Sequence, residues 1–267
     1  EESSHKLIEI KECITAKHFI NEVIKNYKLL NLENAKLTIR SNYNDEILLI
    51  IESESKEYNI DLAALKEKIK LVGIVYNNIT IYGENFFYER VGGKLFKVSF
   101  DSFFQVNECI TSELFDLIKN NIDNDSIVLD LYSGVGTLGI IAASKSKEVY
   151  SMEIIKNAVL NGITNAKLNR VNNIKFMLGD VSKTIDKINF DFDTLIVDPP
   201  RKGLDKKTKE FILKHTPSKI IYISCDPNTL MRDLKELENV YEINDFKIMD
   251  MFSYTYHVES FCVLKKK

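Results

Sequence analysis

The chain has 267 residues, which is enough for one large domain or two smaller ones with a real hydrophobic core. Hydrophobic residues make up 45% of it and charged residues 28%, values typical of an ordinary globular protein. The formal net charge of -3 excludes a whole-chain attraction to nucleic acid or membranes, so any RNA site would have to be a local patch.

The apolar runs and the cysteines exclude further classes of protein. Runs such as "TLIVDPP" and "KIIYISC" have the length of strands and are far too short to span a membrane, and no signal-type segment opens the chain. The four cysteines are widely spaced without a CxxC pair, which argues against a disulfide framework and a zinc site. The sequence therefore predicts a cytoplasmic protein with no metal site, no membrane association and no obligate protein partner.

Residues 1–102 are predicted to form a small α+β domain. A helical pattern covers "KHFINEVIKNYKLL", and two alternating strands follow in "AKLTIRSNY" and "EILLIIESE". A short helix, "DLAALKEKIK", comes next, and after it two strands in "LVGIVYNNITIYG" and a hairpin around "VGGKLF".

Residues 103–267 are predicted to form an α/β domain, because strands and helices alternate along this part of the chain. The predicted strands are "SIVLDLY", "EVYSMEI", "NIKFMLGD", "FDTLIVDPP" and "KIIYISC", each followed by a helical segment. Two final strand-like runs, "YEINDFKIMDMF" and "VESFCVLKK", predict an antiparallel hairpin at one edge. The expected fold is a doubly wound, mostly parallel, seven-stranded Rossmann-like sheet with helices on both faces.

A glycine-rich loop lies between the first of these strands and its helix. "VLDLYSGVGTLG" carries Gly134, Gly136 and Gly139 as GxGxxG, and Glu153 ends the next strand. In this context the glycines let the backbone approach a nucleotide-type cofactor, and the glutamate can accept hydrogen bonds from ribose hydroxyls. We therefore predict Gly134 and Glu153 as cofactor-binding residues.

The loop fits both NAD and S-adenosyl-L-methionine, and three acidic residues favour the second. Asp130 is expected to face a sulfonium and an amino group better than a pyrophosphate. Asp180 ends the third strand, where a carboxylate can bind an adenine amino group. Asp198 opens "DPPRKG", which is typical of methyltransferases that act on planar nitrogenous targets. An NAD-dependent oxidoreductase remains the alternative.

Cys225 ends a predicted strand in "KIIYISCDPNTLMRDL", immediately before a helix. The thiol has two interpretations, a buried structural group or a nucleophile. Asp226 is a plausible N-cap with Pro227 in the first turn, and a helix N-terminus lowers the pKa of a nearby cysteine.

A nucleophilic thiolate would suit methylation at carbon 5 of a uracil. Addition of the thiolate to carbon 6 makes carbon 5 nucleophilic, and a base must afterwards remove the carbon-5 proton. Glu259, in "YHVESFCV", is the candidate base, and a solvated strand carboxylate is the alternative interpretation.

Six motifs occur in the order "FFQVN", "DLYSGVGT", "SMEI", "DPPRKGLD", "SCDPNTLMRD" and "HVES". Together they resemble the RNA uracil-5-methyltransferases, which make 5-methyluridine in tRNA or 23S ribosomal RNA. The resemblance implies that S-adenosyl-L-methionine contacts Gln105, Tyr132, Glu153 and Asp198. It also implies Cys225 as nucleophile, Glu259 as base, and an RNA contact at Arg201 and the basic run that ends at Lys219.

Many members of that family also carry an N-terminal RNA-binding β-barrel and a cysteine cluster for a [4Fe-4S] centre. This sequence lacks both patterns, so it is expected to be a fragment or a short form. Cys13 falls where the last cluster cysteine would stand, and one thiol cannot hold a cluster, so no iron-sulfur centre is expected in this chain. The segment "IEIKEC" resembles the ribosomal members, which favours rRNA over tRNA. A tRNA uridine-5 enzyme and a nitrogen-directed nucleic-acid methyltransferase remain alternatives.

Overall fold

The computed structural model describes residues 8–105 and 107–267. Residues 1–7, at the start of the predicted first domain, and Val106 of the FFQVN motif lie outside the described residues. The chain divides between Glu89 and Arg90 into two compact units. The predicted boundary between residues 102 and 103 stays a prediction.

The first unit is an α+β structure with one four-stranded sheet. Strands β1–β4 lie in that order, and only the pair β2–β3 is parallel. Its elements are helix α1 (His18–Lys25), a 3-10 turn (Tyr27–Leu30), β1 (Ala35–Ser41), β2 (Glu46–Ser53), α2 (Leu62–Lys68), β3 (Lys70–Tyr76) and β4 (Ile79–Gly83). The predicted first helix is shorter than expected, because the Asn26 side chain donates a hydrogen bond to the carbonyl of Glu22 and the chain continues as a 3-10 turn.

The remaining elements confirm the alternation of strands and helices. They are β5 (Phe86–Val91), β6 (Lys94–Ser99), α3 (Glu108–Asn121), β7 (Ile127–Leu131), α4 (Thr137–Ala142), β8 (Glu148–Glu153), α5 (Lys156–Leu168), β9 (Ile174–Leu178), α6 (Val181–Thr184), β10 (Thr194–Val197), α7 (Lys206–His215), β11 (Lys219–Ser224), α8 (Pro227–Leu237), β12 (Tyr241–Met249) and β13 (Glu259–Lys266). Strands β5 and β6 form the predicted hairpin.

The large sheet has seven strands in the order β12-β13-β11-β10-β7-β8-β9. Strands β11, β10, β7, β8 and β9 are parallel, whereas β13 is antiparallel to both β11 and β12. Every residue of β10 and β11 is buried, as expected for strands covered by helices on both faces. The predicted doubly wound sheet with an antiparallel edge hairpin is therefore confirmed.

Helix α3 was not predicted from the sequence. Its first turn is capped by the Asn107 side chain, which accepts a hydrogen bond from the amide of Ile110 at 3.3 Å. Leu114, Phe115 and Ile118 form its buried face. The cap residue and this helical spacing are signals that could have identified it.

No helix within residues 8–105 or 107–267 is both long and apolar enough to cross a membrane.

Candidate active site

Five predicted site residues lie at one edge of the large sheet. Tyr132, Asp180, Asp198 and Cys225 follow the ends of parallel strands closely, and Glu153 is the last residue of β8. Because parallel strands present their carboxyl ends on the same side, the sheet brings these residues to a common edge, where ligands of doubly wound sheets bind.

The glycine loop is bonded to the end of β8 through Glu153. One carboxylate oxygen, Oε2, accepts a hydrogen bond from the amide of Gly134 at 2.9 Å. The other, Oε1, accepts one from the amide of Ile155 at 2.8 Å. These two bonds fix the carboxylate, and each oxygen keeps a second lone pair with which it can accept a hydroxyl of a bound ligand.

A cavity of about 360 Å³ opens beside this loop. It brings together three predicted cofactor residues, Tyr132, Glu153 and Asp180, and its volume lies in the range of small-molecule sites. Ser182, Pro200, Lys202 and Asp205 also line it, none of which was singled out as cofactor-binding from the sequence.

Asp180 caps helix α6 at the cavity wall. One of its oxygens accepts hydrogen bonds from the amide of Ser182 at 3.0 Å and from the Ser182 hydroxyl at 2.7 Å. The other lies 3.2 Å from the Lys183 ammonium. The hydrogen bonds from Ser182 and then Lys183 lower the pKa of this carboxyl, so the wall presents a carboxylate that can accept further hydrogen bonds.

Polar groups without partners support a polar ligand at this edge. Within the described part of the chain, the buried Oε1 of Gln105 and the buried Oγ of Ser133 have no hydrogen-bond partner. Ser133 follows Tyr132 directly. Unsatisfied buried polar atoms are costly, and a ligand that bonds to them would remove that cost. The residues present therefore fit a cofactor of the nucleotide type.

Asp130 is buried beneath the glycine loop, and the expectation that it faces a sulfonium stays a prediction. It is only 1% exposed, and its carboxylate accepts a hydrogen bond from the hydroxyl of Ser151 at 3.0 Å. A Cβ atom on Gly139 would lie 2.8 Å from the same carboxylate, so Asp130 is packed beneath helix α4. Burial raises its pKa to about 7. Asp130 thus packs between Ser151 and Gly139, and it is not among the residues that line the cavity.

Cys225 and Glu259 lie at the ends of neighbouring antiparallel strands. Ser224, the last residue of β11, pairs with Ser260 of β13, so Cys225 and Glu259 are the next residues at the same end of this strand pair. Glu259 is 2% exposed, whereas Cys225 is partly exposed. The fold therefore places a thiol within reach of solvent beside a buried carboxyl group.

The ionisation of the Cys225 thiol departs from the prediction. Asp226 caps helix α8 as expected and accepts a hydrogen bond from the amide of Asn228 at 2.9 Å. The pKa of Cys225 is nevertheless raised, because burial and the nearby carboxyls of Glu259 and Asp198 outweigh the lowering by Arg201. The prediction of a lowered pKa was wrong, since it considered only the helix that follows the cysteine.

The two carboxyl groups near Cys225 also have raised pKa values. Burial, followed by the charge of Asp198, raises the pKa of Glu259 to about 8. Asp198 is partly exposed as a residue, but protein surrounds its carboxyl group, and the loss of water raises its pKa to about 7. Strongly shifted groups that cluster in this way are typical of catalytic sites.

The basic run from Arg201 to Lys219 is only partly available to a ligand. Lys209 is buried and lies 2.6 Å from Glu236, and Lys219 is buried and lies 2.7 Å from Asp123. These two lysines form ion pairs within the fold, and an RNA contact by Arg201 and the rest of the run stays a prediction. Arg201 is exposed, and its guanidinium lies 3.2 Å from Nε2 of His257.

Asp233 joins the segment after β10 to helix α8. Its buried carboxylate accepts hydrogen bonds from the amide of Leu204 and from the Tyr222 hydroxyl, both at 2.8 Å. The guanidinium of Arg232 also reaches the carbonyl of Lys202 at 2.8 Å. This network was not predicted. A carboxylate within the apolar stripe of α8, beside Leu230, Leu234 and Leu237, is the signal that could have revealed it.

A family model described as tRNA (Uracil-5-)-methyltransferase matches residues 29–267. An uncharacterized RNA methyltransferase of Fusobacterium nucleatum is 36% identical over 303 residues, which covers 99% of this chain and 65% of that protein. One of Clostridium tetani is 33% identical and covers 95% of this chain and 61% of that protein. The chain thus spans somewhat less than two thirds of the length of these relatives.

Solved structures share the fold. The Pyrococcus abyssi tRNA (uracil-54, C5)-methyltransferase, in complex with S-adenosyl-L-homocysteine, superposes with a TM-score of 0.81 at 24% identity, over 97% of this chain and 70% of that one. The tRNA m1G37 methyltransferase of M. jannaschii gives 0.58 at 17% identity, over 86% of this chain and 74% of that one. With the family match and the relatives above, the chain belongs to the tRNA (Uracil-5-)-methyltransferase family.

Proposed function

We propose that this chain transfers a methyl group from S-adenosyl-L-methionine to carbon 5 of a uridine in RNA. The observation that carries the proposal is the pairing of β11 with β13, since its register makes Cys225 and Glu259 neighbours at one end of the strand pair. Membership of the family supports the same reaction.

The cofactor would bind at the cavity and the glycine loop. Glu153 would accept the ribose hydroxyls, Asp180 the adenine amino group, and Gly134 would allow the backbone to approach. Gln105, Tyr132 and Asp198 would hold the part of the ligand nearest the sheet edge. When bound, S-adenosyl-L-methionine supplies an electrophilic methyl group.

Cys225 would act as the nucleophile. Its thiolate would form a bond to carbon 6 of the uracil, and the electrons of the carbon 5–carbon 6 double bond would move toward the carbonyl oxygen at carbon 4. Carbon 5 then carries the electron density that attacks the methyl group, and the sulfonium leaves as a neutral sulfide. Arg201 favours the thiolate, because its positive charge lowers the pKa of Cys225.

Glu259 would act as the base that completes the reaction. Its carboxylate would take the proton from carbon 5, the double bond would form again, and the thiolate would leave carbon 6. A pKa of about 8 makes Glu259 a stronger base than an ordinary glutamate, since the basicity of a carboxylate increases with its pKa.

The proposal also concerns which RNA carries the target uridine. The "IEIKEC" segment supports a ribosomal RNA, and the name of the family supports the tRNA alternative. Methylation of transcripts of 23S rRNA and of tRNA by the same preparation would decide between them. We also propose that residues 1–102 face the RNA and that residues 103–267 carry out methyl transfer in the cytoplasm.

Trapping of a covalent adduct tests the mechanism. RNA that contains 5-fluorouridine lacks the carbon-5 proton, so the wild-type protein should remain bound to it on a denaturing gel. Cys225→Ala should form no adduct and transfer no methyl group, but should still bind S-adenosyl-L-methionine. Glu259→Gln should accumulate an adduct with ordinary RNA. Methyl transfer by Cys225→Ala would refute the covalent route.

A further inference from the structure

The loop between β12 and β13 is rich in aromatic side chains. This segment, residues 250–258, is here named the aromatic loop, and it contains Phe252, Tyr254, Tyr256 and His257. Its two ends meet beside the proposed base, because Met249 pairs with Glu259. The loop therefore begins and ends next to the candidate active site.

Two tyrosines of the aromatic loop are directed into solvent. Tyr254 is 87% exposed and Tyr256 is 89% exposed, the largest exposures among the large hydrophobic residues of the described chain. Nearby Met251 is buried instead and anchors the loop. Large exposed aromatic side chains contribute little to folding, and they are enriched where a partner covers them.

The aromatic loop is held in this conformation by its own hydrogen bonds. The Thr255 hydroxyl donates to the carbonyl of Phe252 at 2.7 Å, and the Ser253 hydroxyl donates to the carboxylate of Asp250 at 2.9 Å. Tyr254 adopts a left-handed backbone with φ of 65°, which is unfavourable for an aromatic residue. An ordered loop that presents two rings loses little conformational entropy when a ligand covers them.

A positive charge lies next to these rings. The ring of Tyr256 packs on that of His257 with centroids 4.1 Å apart, and His257 in turn lies 3.2 Å from the guanidinium of Arg201. Arg201 also acts electrostatically on Cys225. The Tyr256 ring, the His257 ring and the Arg201 guanidinium thus form one run of contacts, and the charge of Arg201 is close enough to act on Cys225. A chain with flat rings and negative charges fits this arrangement.

We propose that Tyr254 and Tyr256 stack on the bases that flank the target uridine in single-stranded RNA. The inference rests on the proposed function. A uridine must leave its own stack to reach Cys225, and its neighbours then lose a stacking partner. Stacking on aromatic side chains replaces that contact for any base, which makes Tyr254 and Tyr256 determinants of RNA affinity and of the flanking structure that is accepted.

The test uses the full chain and a mixed-sequence, 15-nucleotide single-stranded RNA with one uridine flanked by 2-aminopurine. Stacking should quench the 2-aminopurine fluorescence on binding. Tyr254→Leu with Tyr256→Leu should remove the quenching and raise the Kd on the order of tenfold or more. The double Phe variant keeps both rings and should behave as the wild type. Phe246→Leu, at a half-exposed aromatic residue of β12, is the matched control and should change neither signal.

A second RNA with abasic positions on both sides of the uridine separates stacking from other effects. On that RNA the Leu variant and the wild type should bind equally. All variants should bind S-adenosyl-L-methionine with the same affinity, and this result would show that they are folded. If the Leu variant has the same Kd and the same quenching as the wild type, the inference is wrong. The same result is expected if the loop binds a protein and not RNA. A wild-type chain that binds RNA with quenching but methylates no uridine would refute only the proposed function.

Discussion

The hydroxyl of Tyr222, on β11, donates a 2.8 Å hydrogen bond to the carboxylate of Asp233, on α8. Asp233 is fully buried, and it also accepts a hydrogen bond from the amide of Leu204 and pairs with Arg232 and Lys209. The strand that precedes Cys225 and the segment that follows Arg201 are thus attached to one carboxylate.

Asp233→Ala should destabilise the protein strongly. The substitution leaves the buried ammonium of Lys209 without one of its partners and the Tyr222 hydroxyl without an acceptor, which costs about 3–5 kcal/mol for a broken buried pair. Urea unfolding would measure the loss. Glu210→Ala, which removes an exposed 3.8 Å pair with Lys206, is the control and should cost less than about 1 kcal/mol. Similar losses in both variants would contradict a structural role of the network.

Methyl transfer should become faster as the pH rises. In the proposed mechanism Cys225 and Glu259 both react as anions, and burial raises the pKa of Cys225 and brings that of Glu259 to about 8. The value of kcat/KM should therefore increase between pH 6 and pH 9. Arg201→Gln removes the cation that lowers the pKa of Cys225, so its profile should shift to higher pH. Lys214→Gln changes the net charge equally on an exposed site and should leave the profile in place. A flat wild-type profile would contradict the assignment of these two groups.

Glu259→Gln should stabilise the fold increasingly as the pH rises from 5 to 8. The pKa of Glu259 is about 8 in the folded protein, against about 4.3 for an ordinary glutamate, so the folded state holds the proton more tightly. The resulting stability is complete below about pH 4 and is lost as the pH rises to 8. Glutamine does not ionise, so the variant should gain a few kcal/mol over the wild type between pH 5 and pH 8.

Urea unfolding at the two pH values would measure this gain. The exposed Glu242→Gln serves as the control, and its stability should parallel that of the wild type. Parallel curves for Glu259→Gln as well would show that its carboxyl is not strongly shifted.

Gly136→Ala should be more damaging than Gly93→Ala. Both glycines have positive φ, 82° and 71°, so an added side chain strains both backbones. A Cβ on Gly136 would lie 2.6 Å from the ring of Phe176, whereas one on Gly93 would have no atom within 4 Å among the described residues. The clash should add about 1–3 kcal/mol to the destabilisation by Gly136→Ala. Denaturation midpoints of the two variants would measure the difference, and equal midpoints would show that the ring moves aside.

The sequence predicted the sheet well because its strands are buried on both faces. Runs such as Thr194–Val197 and Lys219–Ser224 are almost continuously apolar, which is typical of strands covered on both faces. The alternation with helices then determined the topology, and the carboxyl ends of the strands determined the edge at which Glu153 and Cys225 lie.

The sequence did not predict features that depend on neighbours distant in the chain. The pKa of Cys225 rises because the fold buries the thiol and brings the carboxyl groups of Glu259 and Asp198 near it, and no local pattern contains that information. Lys209 and Lys219 looked like surface charges, but the fold directs them to Glu236 and Asp123. Local sequence shows which groups are present, and only the packing shows what each one faces.

The last strand, β13, pairs with β11 on one side and with β12 on the other, so it is inserted between strands that precede it in the chain. Glu259 is its first residue and the last of the proposed site residues to be synthesised. A nascent chain that has not yet reached β13 contains the glycine loop and Cys225 but lacks the carboxylate that, in the proposed mechanism, lets Cys225 leave the uracil. Insertion of β13 between β11 and β12 therefore adds the proposed base. In the proposed mechanism, the protein can then release the methylated uridine and react again.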